Sequence, residues 1–132
     1  MADNKQLVDD FLDASRRGDT QRMAALLHSD FCVYEADSLP YAGEHRGLEG
    51  FLALVKRVFT SFRDTRVDIR QMLAEGDTVV VLATLSGRSK HNGEAFQMPV
   101  NEVWEFAEGR ILRITPYYFD TARLVALAGG AA

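Results

Sequence analysis

The first half of the chain places apolar residues at the spacing of α-helices. The pattern predicts a helix over residues 4–17, with Asp3 as its N-cap and Gly18 as a left-handed C-cap. A second, shorter helix is predicted to begin at the Asp-Thr pair that follows. The strongest helical periodicity falls at residues 47–62, where one face consists of Leu48, Phe51, Leu52, Val55, Val58, Phe59 and Phe62.

The second half changes to β-branched and aromatic residues separated by turn pairs at Gly76-Asp77, Asn92-Gly93 and Glu108-Gly109. This pattern predicts four antiparallel strands near 66–74, 78–89, 95–106 and 110–119, followed by a helical segment from about Thr121. Helices that precede a meander indicate an α+β domain in which helices cover one face of a curved sheet. With no repeat or linker in the sequence, we expect residues 1–132 to form one domain.

Two glutamates interrupt the apolar face of predicted strands. The stretch DFCVYE, residues 30–35, alternates so that Phe31 and Val33 share a face with Glu35. On the third meander strand, Glu102 shares its face with five apolar or aromatic residues: Phe96, Met98, Val100, Trp104 and Phe106. A buried, unpaired carboxylate is costly, so two of them predict a polar spot inside an apolar cavity.

Such a carboxyl group can act as a general base, or stay protonated and stabilise an oxyanion. The simpler alternative is a glutamate at the rim of the sheet or paired with an arginine. Tyr118 and Ile114 share an inward face, where Tyr118 is either a cavity residue or an ordinary core tyrosine. Asp120 is either the N-cap of the last helix or a polar contact in the site.

Composition and charge exclude several classes of function. The chain has 132 residues, 47% of them hydrophobic, and a formal net charge of −4. Its basic residues form no coherent face, so we expect no nucleic-acid partner. No apolar run approaches the roughly 20 residues of a membrane span, and the polar start does not resemble a signal peptide, so we expect a cytoplasmic protein without a membrane partner.

The sequence contains no spacing that predicts a metal site or a cofactor. The single cysteine, Cys32, is interpreted as a structural thiol. Neither H-x-x-x-H nor C-x-x-C occurs, and GRSKHNG, residues 87–93, matches neither a dinucleotide loop nor a P-loop. We therefore expect an activity that needs neither a metal ion nor a cofactor.

Two long stretches carry a resemblance that covers nearly the whole chain. They are FLDASRRGDTQRMAALLHSDFCVYEADSLPYAGEHRGLEGF, residues 11–51, and VNEVWEFAEGRILRITPYYFDTARL, residues 100–124. They resemble the nuclear transport factor 2-like superfamily, in particular its SnoaL-like and ketosteroid-isomerase-like branch. The resemblance implies a cone-shaped, curved antiparallel sheet wrapped around a long helix (a cystatin-like roll), with an apolar pocket at its open end and a homodimer formed through the sheet.

The isomerase pattern of that branch falls on the two residues that the alternation identifies. Its general base would be Glu35, and its oxyanion-stabilising acid would be Glu102. This chain departs from the pattern at Phe11, which stands near the position of the family's oxyanion tyrosine, and both acids are glutamate instead of aspartate. The ending YYFDTARL, residues 117–124, is more similar to the SnoaL-like branch, whose acid works on polycyclic or polyketide-derived compounds.

Three hypotheses follow for function. The first is a cofactor-independent isomerase, cyclase or lyase for a small apolar carbonyl compound, with Glu35 as base, Glu102 as acid and Asp120 as a further polar group. Its predicted pocket residues are Tyr118, Phe11, Phe51, Val55, Phe59, Trp104, Val100 and Ile114. The second is a small-molecule-binding module without catalysis, and the third is an accessory dimer whose aromatic residues fill the pocket.

Overall fold

The computed structural model describes residues 3–130, which form four helices and six strands. In chain order the elements are α1 (Asn4–Arg17), α2 (Thr20–Leu26), β1 (Leu27–Glu35), β2 (Gly43–Arg46), α3 (Gly47–Ser61), β3 (Phe62–Glu75), β4 (Thr78–Ser89), β5 (Ala95–Ala107), β6 (Arg110–Tyr118) and α4 (Thr121–Leu127). Within this described part, no helix is both long and apolar enough to cross a membrane.

The strands form a single curved sheet that does not close into a barrel, in the order β2-β1-β6-β5-β4-β3. The four strands of the meander pair antiparallel, as predicted, and so do β1 and β2. However, β1 runs parallel to β6, so the sheet is mixed instead of wholly antiparallel. The predicted α+β architecture is confirmed, and the first strand lies between the edge strand β2 and the last strand β6.

Capping groups in the sequence mark the start of three helices and the end of one. The side chains of Asp3, Asp19 and Asp120 each accept a hydrogen bond from the backbone N–H three residues on, at the starts of α1, α2 and α4. Gly18 ends α1 with φ of 67°, a left-handed conformation that a Cβ atom would strain. Three aspartates thus set where α1, α2 and α4 begin, and one glycine sets where α1 ends.

Three features of this region differ from the sequence prediction: one strand, one helix end and the most buried residue of a helix. The segment around His45, expected to be a loop, forms β2 and adds an edge strand. The third helix ends at Ser61, because Phe62 already pairs with β4 at the start of a longer β3. On α3, the most buried residue is Leu54, which lies outside the predicted face. The inward side of the helix therefore includes Leu54 as well as most of the face that periodicity predicts.

A buried serine attaches α4 to the end of β4. The Oγ atom of Ser89 donates a hydrogen bond to the carbonyl oxygen of Leu127 at 2.5 Å. The same atom accepts hydrogen bonds from the backbone N–H groups of His91, at 3.0 Å, and Asn92, at 3.2 Å. Ser89 and Leu127 are both buried, so water cannot readily replace the hydrogen bond between them.

We expect Ser89→Ala to lower the free energy of unfolding by about 1–3 kcal/mol, because it leaves the carbonyl of buried Leu127 and two backbone N–H groups without their hydrogen-bond partner. Urea unfolding of the purified variant measures this. Ser86→Ala is the matched control, since Ser86 lies on the same strand but has the opposite parity. Equal stability of the two variants would contradict the importance of this attachment.

Candidate functional site

The two glutamates lie on the inner face of the sheet, on either side of one proline. Glu102 on β5 pairs with Pro116 on β6. β1 runs parallel to β6, with Val33 opposite Ile114. Glu35 follows Val33 by two residues and therefore comes level with Pro116 from the other side. Neighbouring strands are about 4.8 Å apart, so the Cα atoms of the two glutamates are separated by roughly 10 Å.

A cavity of about 270 Å³ opens beside these residues. Most of its wall is apolar or aromatic, and α3 contributes five of the lining residues. The lining residues with polar groups at the ends of their side chains are Glu35, Tyr41, Thr65, Glu102 and Tyr118. The cavity is thus an apolar chamber with two carboxyl groups, which is the arrangement expected of a small-molecule site.

Each carboxyl group accepts one side-chain hydrogen bond, from the adjacent strand for Glu35 and from the same strand for Glu102. The Tyr118 hydroxyl donates to Oε1 of Glu35 at 2.7 Å. The indole N–H of Trp104 donates to Oε1 of Glu102 at 3.0 Å. Within residues 3–130, neither glutamate pairs with an arginine, so the alternative of a structural ion pair is wrong.

Burial gives both carboxyl groups a raised pKa. For Glu35, which is 5% exposed, desolvation raises the pKa from 4.5 to about 7. The hydrogen bond from Tyr118 lowers this pKa, and the charge of Glu102 raises it. Desolvation also raises the pKa of Glu102, against a lowering by the Trp104 hydrogen bond. Glu35 can therefore both accept and release a proton near pH 7, and Glu102 holds its proton more strongly than an exposed glutamate does.

A second recess, of about 300 Å³, reaches Glu35 from the other side of β1 and β6. It shares Glu35, Pro116 and Tyr118 with the apolar cavity. The rest of its wall carries more polar groups, including Asp37 and Thr115. Glu102 lines only the apolar cavity, so the two acids differ in their surroundings.

The structure brings together all eight residues predicted to line the pocket. Phe11, Phe51, Val55, Phe59, Val100, Trp104, Ile114 and Tyr118 surround the cavity together with Glu35 and Glu102. Asp120 is exposed, caps α4 through a hydrogen bond from the backbone N–H of Arg123, and is not part of the cavity wall. The structure therefore separates Asp120 from the two glutamates.

Tyr41 is the site residue that the sequence analysis missed. It lies in the loop between β1 and β2, is 3% exposed and lines the cavity. Its backbone carbonyl accepts a hydrogen bond from Nε2 of His45 at 2.8 Å, which holds the loop against α3 and β2. Burial and the charge of Glu35 raise the pKa of the Tyr41 hydroxyl, which keeps it protonated as a donor. A loop has no periodicity, so only its aromatic residue could have indicated this position.

The donor set of the cavity suits proton transfer better than metal binding. Over residues 3–130, no group of three or more histidine, cysteine, aspartate or glutamate side chains is arranged to hold a metal ion. Cys32 is buried and unbridged. Two carboxyl groups and two phenolic hydroxyls can instead accept, donate and orient protons.

Comparison of the sequence with known families gives one assignment. Residues 8–114 match the family of SnoaL-like domains. The chain belongs to the SnoaL-like family. No curated protein matches this SnoaL-like chain in sequence.

Solved structures agree with the family in fold. An NTF2-like protein of unknown function from Burkholderia pseudomallei is 27% identical and superposes with a TM-score of 0.84 over 97% of this chain and 98% of its own. An NTF2-like protein from Burkholderia thailandensis is 26% identical, with a TM-score of 0.84 and coverage of 99% and 100%. A protein of ketosteroid isomerase-like fold from Catenulispora acidiphila, in complex with trimethylamine, is 17% identical, with a TM-score of 0.72 and coverage of 95% and 93%.

We expect Tyr118→Phe to raise the pKa of Glu35 in this SnoaL-like protein above about 7, because the lost hydroxyl stabilises the carboxylate. Carbon-13 NMR of the glutamate carboxyl groups between pH 4 and pH 10 measures the change. Tyr117→Phe is the control, since Tyr117 is 60% exposed and faces away from the cavity. A lower pKa in the Tyr118 variant would mean that the hydroxyl does not act as the donor.

Proposed function

We propose that this SnoaL-like protein is a cofactor-independent acid–base enzyme that removes a proton next to the carbonyl group of a small apolar compound. One observation carries the proposal. Two carboxyl groups with raised pKa values flank Pro116 inside an otherwise apolar cavity. Isomerisation, cyclisation and elimination can all follow from the enolate that such a proton transfer creates.

Glu35 is assigned as the base. It lines the second, more polar recess as well as the cavity, and this gives its proton a route to solvent. The Tyr118 hydroxyl stabilises its charged form. Once Glu35 is ionised, its charge and the apolar wall both oppose ionisation of Glu102, which therefore keeps its proton.

The proton transfer balances within the two side chains and the substrate. The Glu35 carboxylate forms an O–H bond as the C–H bond next to the carbonyl breaks. The electron pair of that bond moves onto the carbonyl oxygen, and the protonated Glu102 donates a hydrogen bond to the resulting enolate. Return of the proton to the same carbon gives exchange, and its return to another carbon gives isomerisation.

Uptake of deuterium from heavy water tests the proposal without knowledge of the natural substrate. The protein is incubated at pH 8 with cyclohexanone, 2-tetralone and a steroid ketone, and proton NMR follows the signals next to each carbonyl. The expected result is exchange faster than in buffer for at least one ketone, and loss of that gain in the Glu35→Gln variant. Exchange at the buffer rate for every ketone that binds would reject the enzymatic role.

The second candidate function is a binding module for an amine. It is favoured by the trimethylamine held by the Catenulispora acidiphila protein of the same fold. Two acids and several aromatic rings line the cavity, and both kinds of group attract organic cations. Saturable binding of trimethylamine by the wild-type protein, together with the absence of ketone exchange, would favour this function.

We also propose that two chains pair through the outer face of the sheet. An apolar row crosses this face, because Leu73 pairs with Val80 and Val80 pairs with Val103. Leu73 is 49% exposed, which leaves apolar surface for a second copy. Sedimentation velocity is expected to give a species of twice 14.7 kDa, and Val103→Glu is expected to dissociate it. A monomer at all concentrations of the wild-type protein would exclude the pairing.

A further inference from the structure

We infer that the ligand of the cavity is an uncharged ketone with the bulk of about two rings, and that anions of the same size are rejected. This inference rests on the proposed function and adds the size and the charge of the substrate. Three observations carry it: the volume of the cavity, the absence of cationic side chains from its wall and the clustering of its polar groups.

The volume of the cavity limits the bulk of its ligand. An apolar protein cavity of about 150 Å³ accommodates benzene, which has six heavy atoms. At the same ratio, a cavity of about 270 Å³ accommodates roughly 11 heavy atoms, as in a pair of fused six-membered rings with one oxygen. A four-ring skeleton has nearly twice that number, so part of it would have to lie outside the cavity unless the wall rearranges.

The charges of the cavity wall exclude an anionic ligand. Among the lining residues, all of which lie within residues 3–130, there is no lysine, arginine or histidine. A carboxylate or phosphate in the cavity would lose its hydration without a compensating cation, and it would face Glu35 and Glu102. A neutral carbonyl group loses much less hydration free energy and is not repelled by the acids. It can also accept a hydrogen bond from a protonated carboxyl group.

The polar groups of the wall lie close together at one part of the cavity. The hydroxyl of Tyr118 contacts Glu35, and the pKa of Tyr118 responds to the charges of Glu35, Tyr41 and Glu102. Phe51 and other apolar side chains of α3 line much of the rest of the cavity. A ligand with one oxygen at one end and hydrocarbon elsewhere matches this division.

Four probes of graded charge and size test the inference. They are 2-tetralone, its bicyclic counterparts 2-naphthoate and 2-aminotetralin, and androstenedione as a four-ring ketone. Trp104 is the single tryptophan of the chain and lines the cavity, so its indole N–H signal in a nitrogen-15 NMR spectrum reports occupancy. Each probe is titrated at pH 8, and deuterium exchange of the bound ketones is measured separately in heavy water.

The expected result is saturable binding of 2-tetralone, at least about tenfold tighter than that of 2-naphthoate or androstenedione, and tighter than that of 2-aminotetralin, which probes the second candidate function. Equal or tighter binding of 2-naphthoate or of 2-aminotetralin would overturn the assignment of charge. Tighter binding of androstenedione would overturn the assignment of size, and failure of 2-tetralone to bind would overturn both. If 2-tetralone binds without accelerated exchange, the ligand class stands and the proposed proton abstraction is rejected. If exchange is accelerated for androstenedione alone, the proposed proton abstraction stands and the inferred ligand size is rejected.

A pair of variants on α3 locates the binding. Val58→Phe adds bulk to the cavity wall and is expected to weaken 2-tetralone binding by about tenfold or more. Leu52→Phe adds bulk to the same helix at a residue that is 37% exposed and outside the wall, and it is expected to leave binding unchanged. Equal effects of the two variants, with both folded by circular dichroism, would place the ligand elsewhere.

Discussion

Glu35→Gln is expected to lower the rate of ketone exchange by about 10²–10⁴-fold, because glutamine cannot accept the proton and a positioned base contributes about this factor. The change is nearly isosteric, and the Gln oxygen can still accept the hydrogen bond that Tyr118 donates at 2.7 Å. Proton NMR in heavy water at pH 8 measures the exchange. Wild-type exchange in the variant would remove Glu35 from the mechanism and leave Glu102 as the candidate base.

The dependence of stability on pH tests whether the same substitution leaves the fold intact. Burial raises the pKa of Glu35 from 4.5 in the unfolded chain to about 7, so the folded state binds the proton more tightly. The resulting stabilisation is complete below pH 4.5 and is lost as the pH rises to about 7, a change of about 3 kcal/mol. Urea unfolding at pH 4.5 and pH 8 measures this change.

Relative to the wild type, Glu35→Gln should therefore gain stability on going from pH 4.5 to pH 8, because glutamine does not titrate. The raised pKa of Glu102 acts in the same direction in both proteins. Its effect is smaller in the variant, which lacks the opposing charge of Glu35, and this adds to the expected difference. If the variant does not gain stability relative to the wild type between pH 4.5 and pH 8, the Glu35 carboxylate is better solvated than its burial implies.

Phe11→Ala is expected to lower the free energy of unfolding by about 3–5 kcal/mol, the range for deletion of a buried phenylalanine ring. Phe11 is 1% exposed. Its ring packs edge-on against Phe51, with centroids 5.2 Å apart, and against Trp104, with centroids 5.9 Å apart. It therefore joins α1 to α3 and to the sheet, and its removal leaves a void next to the cavity. Urea unfolding measures the loss.

Phe119→Ala is the matched control for this deletion, because Phe119 is 78% exposed and loses little burial with its ring. Phe11→Leu provides a milder variant if the alanine variant does not fold, since a small domain has only about 5–15 kcal/mol to lose. A loss below about 1 kcal/mol in Phe11→Ala would mean that the surrounding rings collapse into the space.

The alternation of apolar residues was sufficient to predict which side chains share the interior. The inward positions of Phe31, Val33 and Glu35 are confirmed, and so are those of the β5 residues around Glu102. The reason is that a strand exposes alternate residues to opposite faces whatever its neighbours are. The two acids could therefore be placed on one face from sequence, although their chemical roles stay predictions.

Pairing between distant strands could not be predicted in the same way. Alternation does not specify a partner, so the parallel contact of β1 with β6, which brings Glu35 level with Glu102, appears only in the structure. A register shift beside Phe106 also buries Ile111, although its parity along the strand is opposite to that of Ile114 and Tyr118. Tyr41 was missed because a loop positions its side chains by individual contacts.

The acids of the cavity lie on the sheet, whereas much of its apolar wall lies on α3, and this affects how such a protein can diverge. The acids and their hydrogen-bond donors belong to β1, β5 and β6, whose neighbours fix their positions. Five other wall residues belong to α3, which buries only Leu54 to the depth of the core. Substitutions along this one helix can change the shape of the cavity without moving the acids, so descendants of one ancestor can acquire new ligands while they keep the same pair of carboxyl groups.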